Sequence, residues 1–202
     1  MRLLDLFSGL KGWSTPFKER GHDVDTLDID PRFESTYTCD IRDFEPTKDY
    51  DLILASPPCE SFSTLSMGIH WFHDGAPKTG DAVNSLSIVK HMLRIIEEIN
   101  PRYYIIENPR AMMRKLPEMQ KLERHTVTMC QYGLNRMKPT DLFGVFPPSL
   151  ELKPPCRNGD SCHIPAPRGS KSGTQILSPI ESSKIPYELG LAVCLAAEKD
   201  LV

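Results

Sequence analysis

The chain has 202 residues, of which 40% are hydrophobic and 25% charged, which suits one domain with an ordinary core. It contains no run of about 18 apolar residues, which excludes a membrane-spanning helix, and the start MRLLDLFSGL is too short and too acidic for a signal peptide. We therefore expect a cytoplasmic protein without a membrane partner. Its six cysteines are predicted to be free thiols or metal ligands rather than disulfides.

The charge is small in total but uneven along the chain. The formal net charge is -3, which argues against a protein that simply coats nucleic acid. Residues 1–60 carry 13 acidic and 7 basic side chains, whereas residues 102–138 carry 8 basic and 3 acidic ones. The basic region is either a face that follows phosphates or an ordinary solvated surface.

Short apolar runs alternate with helical patterns, which predicts an α/β fold with a mostly parallel sheet and a late antiparallel hairpin. Residues 65–80 lack periodicity and are predicted to be a mobile loop. The predicted strands are RLLDLFSG (2–9), DVDTLDID (23–30), TCDIRDF (38–44), YDLILAS (50–56), RYYIIENP (102–109), HTVTMCQYG (125–133) and TDLFGVFP (140–147). The predicted helices are STPFKERG (14–21), DAVNSLSIVKHMLRIIEEINP (81–101) and YELGLAVCLAAEK (187–199).

Polar side chains and glycines follow the first three predicted strands. Gly9 and Gly12 permit a close backbone approach after the first strand, or they mark a plain tight turn. Asp28, at the end of the second strand, is suited to hold a ribose hydroxyl pair, and Asp40 is suited to accept from an adenine amino group. The series favours an adenosine-containing cofactor. A complete G-x-G-x-x-G is missing, which makes a dinucleotide less favoured.

A cysteine in SPPCESFS is the candidate nucleophile. Cys59 follows Pro57 and Pro58 at the carboxyl end of a strand, where backbone N–H groups are expected to lower the pKa of its thiol. Glu107 ends the next strand, so its carboxyl group is expected to reach the same cleft. A thiolate with a carboxyl group suits attack on an electron-poor ring. The alternative is an inert, buried thiol.

These motifs resemble those of the C5-cytosine DNA methyltransferase family. DLFSGLKGWS, SPPCESFS and ENP match its glycine-rich, Pro-Cys and Glu-Asn motifs in the same order. QYGLNRMKPTD is similar to a later motif with spaced basic residues, and SSKIPYELGLAVCLA to the last one. The matches span residues 3 to about 197, and the length is most similar to compact phage-encoded members.

The resemblance implies a Rossmann-like fold that binds S-adenosylmethionine and methylates C5 of a cytosine flipped out of DNA. The implied cofactor residues are Asp5, Phe7, Ser8, Gly9, Leu10, Gly12, Asp28, Ile29, Asp40, Ile41 and Pro57. Cys59 would add to C6 of the ring while Glu107 binds N3 and the exocyclic amine. Arg136 or Lys138 would donate to O2.

Further residues are assigned to the substrate side by the same resemblance. Pro58 would shape the base pocket, Asn108 would order its turn, and Ser61 would contact the substrate. Trp71 and Phe72 either close over the flipped base or make an ordinary hydrophobic contact.

The chain departs from the family at several positions. Pro109 stands where members usually have valine, Ser56 where they often have glycine, and Lys138 where they often have arginine. Ser-Pro-Pro is also similar to methyltransferases that modify N4 of cytosine or N6 of adenine, which remains the alternative. An inactive methyltransferase fold that binds DNA, and RNA or a free nucleotide as substrate, stay open too.

The family's target-reading region is short in this chain. We expect a catalytic domain at residues 1–143, a target-recognition region at 144–183, and a returning helix at 184–202. So small a reader suits duplex DNA with a short recognition site, and the oligomeric state, monomer or dimer, stays open. Arg168 and Lys171 are candidate phosphate contacts or solvated loop residues.

A group of cysteine and histidine residues of the kind that bind metal ions lies in or beside this target-recognition region. Cys130, Cys156, Cys162 and His163 are predicted either to bind a structural zinc ion or to be free loop residues. Zinc would give a segment with little core a reason to fold. Cys39 and Cys194 are expected to be core thiols.

Overall fold

The computed structural model describes residues 1–165 and 183–201. Within these residues, one sheet has the strand order β3-β2-β1-β4-β5-β7-β6. Neighbours from β3 to β5 are parallel, whereas β7 runs antiparallel to both β5 and β6. The strands are β1 (Arg2–Leu6), β2 (Asp23–Asp28), β3 (Tyr37–Thr38), β4 (Leu52–Ala55), β5 (Tyr103–Pro109), β6 (Glu123–Thr128) and β7 (Pro139–Val145).

Helices cover both faces of this sheet, which confirms the predicted α/β fold. The longest helix begins where the Thr79 side chain accepts from the Ala82 N–H and ends at Asn100, whose φ of 49° takes it out of helical geometry. The described helices are α1 (Ser14–Glu19), α2 (Met67–His70), α3 (Gly80–Ile99) and α4 (Tyr187–Asp200). Short 3-10 helices occupy Pro31–Phe33, Met113–Lys115, Met119–Lys121 and Met129–Tyr132.

The alternation of side chains along the central strands builds two hydrophobic layers. Leu4 and Ile53 pack in the same buried cluster as residues of α3. Leu3 and Leu52, one residue earlier in each strand, pack with residues of α1 and α4. Because strands buried on both faces read as continuous apolar runs, their position was predictable from the sequence.

The C-terminal helix α4 returns to the first helix of the fold. The Arg20 guanidinium donates to both oxygens of Glu198 at 2.7 Å, and His22 Nε2 lies 2.8 Å from the same carboxylate. A Cβ placed on Gly190 would lie 2.7 Å from the Gly12 carbonyl oxygen. The backbones of α4 and the first loop are therefore in direct contact.

Two predicted strands are shorter than expected. The third strand is Tyr37–Thr38 rather than 38–44. Asp40 ends it because its carboxylate accepts from the Arg42 N–H and makes a local turn. The segment 129–132, expected to continue a strand, is a 3-10 helix that ends at Gly133, whose φ is 101°.

The segment 65–80 is more ordered than the expected mobile loop. It contains α2, and its Trp71 is 4% exposed. The Trp71 ring stacks on Phe62 with centroids 5.4 Å apart, and Nε1 donates to the Ser61 carbonyl at 2.8 Å. Trp71 thus makes the ordinary hydrophobic contact, while Phe72 is 54% exposed.

No helix within the described residues is long and apolar enough to cross a membrane.

Candidate active site

A cavity of about 340 Å³ lies at the carboxyl ends of β1, β2, β4 and β5. β1 and β4 are neighbours although distant in sequence, so the strand order reverses here, and such reversals are the usual ligand sites of open α/β sheets. Most residues predicted to touch cofactor or base line this cavity. They are Phe7, Ser8, Gly9, Leu10, Gly12, Asp28, Ile29, Asp40, Ile41, Pro57, Pro58, Cys59, Glu107 and Lys138.

The loop after β1 has a left-handed backbone at several positions. Phe7, Gly9 and Lys11 have φ angles of 61°, 44° and 59°. The Gly9 N–H donates to the Asp28 carboxylate at 2.9 Å, and the other Asp28 oxygen accepts from the Asp30 N–H at 3.0 Å. Asp28 therefore holds two loops together at the cavity wall. Non-glycine residues in this backbone region commonly mark ligand sites.

Gly12 has a different role from Gly9. A side chain at Gly12 would overlap the carbonyl oxygen of Ile185 and lie 2.8 Å from its Cβ. Ile185 also lines the cavity. The missing side chain of Gly12 thus lets the C-terminal segment close this part of the cavity wall.

Replacing Gly12 with alanine is therefore expected to displace Ile185. We expect a loss of about 1–3 kcal/mol in the free energy of unfolding, typical of overpacking, and weaker cofactor binding. Denaturant unfolding and titration calorimetry with S-adenosylmethionine would measure both. Gly80→Ala is the control, since a Cβ there meets nothing within 4 Å. Equal stability of the two variants would contradict the packing argument.

The adenine end of the predicted site combines an acid with exposed apolar side chains. The Asp40 carboxylate accepts from the Arg42 side chain and N–H, and these bonds hold its pKa below the usual range. Ile29 is 65% exposed and Leu10 is 47% exposed. An ionised acceptor beside uncovered apolar surface suits a planar base with an amino group.

Asp5 does not line the cavity, contrary to expectation. It is fully buried on the α1 side of the sheet, and burial raises the pKa of its carboxyl group to about 7. The neighbouring Ser14 opposes this rise and the charge of Asp28 adds to it. Because β1 alternates its side chains, Asp5 points to the opposite face from Leu4 and Leu6.

Cys59 lies at the cavity, and the environment of its thiol differs from the prediction. Burial, followed by the negative charge of Glu107, raises the pKa of the Cys59 thiol above its ordinary value. Lys138 lowers it in part, whereas a backbone N–H does so only weakly. The residues after Cys59 form a single turn in which its carbonyl accepts from the Phe62 and Ser63 N–H groups, and the effect of the backbone on the thiol is smaller than that of burial and Glu107.

Glu107 and Lys138 form an ion pair within the cavity. The Glu107 carboxylate lies 3.4 Å from Lys138 Nζ, and their side chains are 6% and 14% exposed. β5 carries Glu107, and Lys138 immediately precedes its neighbour β7. Arg136 does not line the cavity, and its buried Nε and Nη1 have no hydrogen-bond partner among the described residues. The structure therefore brings Lys138, and not Arg136, to Cys59.

The remaining predicted substrate residues fall in three kinds of place. Asn108 is fully buried and donates from Nδ2 to the Pro57 carbonyl at 3.1 Å, so it positions the Pro-Pro-Cys turn from behind. Ser61 is 2% exposed and is not part of the cavity wall. Arg168 and Lys171 lie outside the described residues.

Several residues of the cavity wall were missed from the sequence. Six of them lie inside the recognised motifs, beside residues that were assigned a role, and the other four lie in segments without such a motif. Ile88 lies on α3, a predicted helix that carries none of the recognised motifs. These residues are Trp13, Leu27, Phe33, Cys39, Ser56, Glu60, Ile88, Pro109, Ser183 and Ile185.

The four predicted metal ligands come together away from this cavity. The candidate ligand atoms of Cys130, Cys156, Cys162 and His163 all lie within 4.8 Å of one another. Cys130 Sγ is 3.2 Å from Cys156 Sγ and 3.7 Å from Cys162 Sγ. His163 Nδ1 is 3.7 Å from Cys156 Sγ and 3.4 Å from Cys162 Sγ. Zinc bonds of about 2.3 Å in a tetrahedron place sulfurs about 3.8 Å apart, close to these distances.

Known proteins are similar to this chain in sequence or in fold. A probable DNA (cytosine-5)-methyltransferase of Frog virus 3 is 28% identical over 172 residues, 78% of either chain. The solved Entamoeba histolytica methyltransferase EhMeth superposes with a TM-score of 0.52 at 13% identity, covering 80% of this chain and 57% of its own. A solved E. coli prophage-encoded protein, described as a DNA modification methyltransferase, gives 0.53 at 19% identity, covering 72% and 46%. The chain thus spans about half the length of these two solved proteins.

The strongest comparison concerns the part of the chain that builds the cavity. The profile of the family described as C-5 cytosine-specific DNA methylase matches residues 1–133, which include the glycine-rich loop, Cys59 and Glu107. The match covers most of the sheet and ends before Lys138, Cys156, Cys162 and His163. The chain belongs to the C-5 cytosine-specific DNA methylase family.

Proposed function

We propose that the protein transfers a methyl group from S-adenosylmethionine to C5 of cytosine in DNA. One observation carries the proposal: a thiol, a carboxylate and an ammonium group share one cavity with the acids and glycines that suit an adenosine cofactor. Cys59, Glu107 and Lys138 all line that cavity. This combination fits nucleophilic attack on a ring whose developing charge is stabilised by neighbouring groups.

The cofactor-binding half of the cavity is assigned to the loop after β1 and to the ends of β2 and β3. The Asp28 carboxylate would accept from ribose hydroxyls, and Asp40 from the adenine amino group. Ile29, Ile41 and Leu10 supply apolar contact for the base. S-adenosylmethionine, when bound, supplies an electrophilic methyl group. The residues that hold it must therefore lie close to Cys59, and Pro57 lines the same cavity as Cys59.

The reaction begins with the Cys59 thiol losing its proton to the neighbouring Glu107 carboxylate. Its sulfur then forms a bond to C6 of the cytosine ring, and electron density moves to C5. Glu107 accepts from the exocyclic amine and delivers the proton taken from the thiol to N3, which neutralises the negative charge that develops on the ring. Lys138 stabilises the thiolate and donates toward O2 of the ring. After C5 has received the methyl group, a base removes the C5 proton and the Cys59–C6 bond breaks.

The DNA partner is proposed from the family and from the excess of basic side chains in residues 102–138. Residues 144–183 would read a short site, with Arg168 and Lys171 as candidate phosphate contacts. Flipping the base out of the duplex costs a few kcal/mol, which contacts to the rest of the DNA must offset.

We also propose that Cys130, Cys156, Cys162 and His163 hold a structural zinc ion. Three thiols and one imidazole are a usual ligand set of structural zinc, and His163 is 8% exposed. Protein purified without chelators is expected to contain about one zinc per chain by plasma mass spectrometry, and Cys156→Ser well under half of that. Cys39→Ser is the control and should keep its metal. If the protein is refolded in the presence of zinc and still contains no zinc, the assignment is contradicted.

The activity itself is tested by nucleoside mass spectrometry. Unmethylated duplex DNA is incubated with the purified protein and S-adenosylmethionine, and the digested nucleosides are quantified. 5-Methylcytosine is the expected product. N4-methylcytosine or N6-methyladenine would instead assign the protein to amino-nitrogen methylation. Absence of any methylated base on DNA, with product on RNA of the same sequence, would overturn the choice of DNA.

A further inference from the structure

The segment that carries three of the four metal ligands is hydrogen-bonded to the stretch of chain that ends at Lys138. We define the metal-binding segment as residues 153–164 and the Lys138 loop as residues 129–138. The Lys153 N–H donates to the Tyr132 hydroxyl at 2.7 Å. The Ile164 N–H donates to the Asn135 carbonyl at 2.9 Å. Both ends of the metal-binding segment thus bond the Lys138 loop.

The Lys138 loop is closed on itself and has one metal ligand of its own. The Met129 N–H donates to the Lys138 carbonyl at 3.1 Å, which joins the two ends of the loop. Cys130 lies next to Met129, whereas Cys156, Cys162 and His163 belong to the metal-binding segment. A bound ion would therefore cross-link the segment to the base of the loop.

Little else holds the metal-binding segment in place. It contains no helix or strand. Its one large aliphatic side chain, Ile164, is 50% exposed. The Cys156 N–H bonds Thr128 Oγ1 at 3.0 Å, and Lys153 Nζ bonds the Gln131 carbonyl at 2.8 Å and lies 5.1 Å from the centre of the Tyr132 ring. With so little apolar burial, a metal ion would supply most of the free energy that keeps the segment docked.

We propose that the metal-bound segment is a positioning element of the catalytic site, because it holds the Lys138 loop so that Lys138 Nζ stays beside Glu107 and Cys59. The inference rests on the proposed function and on the proposed zinc site. It assigns to residues outside the family match a part in setting the reactivity of the nucleophile. None of the four metal ligands lines the cavity.

The consequence for Cys59 follows from the charges around its sulfur. Glu107 and, more weakly, Glu60 raise the pKa of the thiol together with burial, and Lys138 is the cation that lowers it. Withdrawal of Lys138 leaves the two acids unopposed. The thiol then ionises at higher pH, so it reacts more slowly with an alkylating agent at neutral pH.

The test measures alkylation of Cys59 by iodoacetamide over a pH series, with the full chain and without DNA or cofactor. Peptide mass spectrometry reads Cys59 separately from the metal-ligand cysteines. Chelator-stripped protein is expected to react at Cys59 about threefold to tenfold more slowly at neutral pH, a pKa rise of about half a unit to one unit. Cys39 is the internal reference and should keep its rate, and restored zinc should restore the profile of Cys59.

Two variants separate positioning from general loss of structure. In Lys138→Met, stripping should cause no further shift, because the cation is already absent. Thr128→Val keeps all four ligands but removes the acceptor of the Cys156 N–H, so a smaller shift in the same direction is expected at full zinc content. An unchanged Cys59 profile after complete stripping would overturn the proposal, as would faster alkylation of Cys59 and Cys39 together. Since alkylation requires no methyl transfer, these results stand whether or not the protein methylates DNA.

Discussion

Replacing Cys59 with alanine is expected to abolish formation of 5-methylcytosine, lowering the rate by more than about 10³-fold. Cys59 lies beside Glu107 and Lys138 in the cavity, and no described cysteine other than Cys39 lines the same wall. Without the sulfur, no covalent bond forms at C6 and C5 does not become nucleophilic. Nucleoside mass spectrometry of DNA treated with both proteins gives the rate.

The matched control for this variant is Cys39→Ala. It removes one half-buried thiol from the same cavity at a distance from the catalytic charges, so a loss of less than about tenfold is expected. Binding of S-adenosylmethionine to Cys59→Ala should persist in calorimetry. Continued production of 5-methylcytosine by Cys59→Ala would show that this cysteine is not the nucleophile.

Replacing Glu107 with glutamine is expected to have two opposite effects. Methyl transfer should fall by about 10²- to 10⁴-fold, because an amide cannot carry a proton to N3 and so cannot neutralise the negative charge that develops on the ring. Alkylation of Cys59 should become faster and its pH profile should move to lower pH. The sign follows from electrostatics: Glu107 raises the pKa of the thiol, so removing its charge lowers that pKa and more thiolate is present at a given pH.

Alkylation that is quenched at set times and read by mass spectrometry measures the reactivity of Cys59. The nucleoside assay measures the loss of methyl transfer. Lys138→Met is the informative counterpart, since removing the cation should move the alkylation profile to higher pH. Glu60→Gln should shift it in the same direction as Glu107→Gln but less, because Glu60 acts more weakly on the sulfur. A shift to higher pH in Glu107→Gln would contradict this account of the site.

The raised pKa has a consequence for mechanism. A thiol that stays protonated at neutral pH is protected from adventitious oxidation and alkylation, because the thiolate is the reactive form. Ionisation must then accompany substrate binding. Binding N3 and the exocyclic amine of the base engages the Glu107 carboxylate and leaves Lys138 as the nearer charge to the sulfur. In this way the base itself would help to activate its nucleophile.

The sequence alone determined the α/β fold and the chemistry of the cavity. β4 is an unbroken apolar run and β1, after its first residue, is interrupted only by Asp5, as suits strands buried on both faces, and α3 shows apolar residues at helical spacing. Cys59 and Glu107 follow the ends of such strands, and the carboxyl ends of parallel strands meet at one edge, so their meeting in one cavity follows from local patterns. The four metal-type ligands were also recognisable by residue type.

Only the tertiary structure decided the properties that depend on distant chain segments or on burial. The pKa of Cys59 rises because desolvation and Glu107 outweigh the backbone, and Asp5 leaves the cavity because of the face on which β1 places it. Gly12 is required by Ile185, a partner far along the chain, and Lys138 rather than Arg136 reaches the cavity. Desolvation and contacts between remote residues depend on three-dimensional packing, and local sequence carries no signal for them.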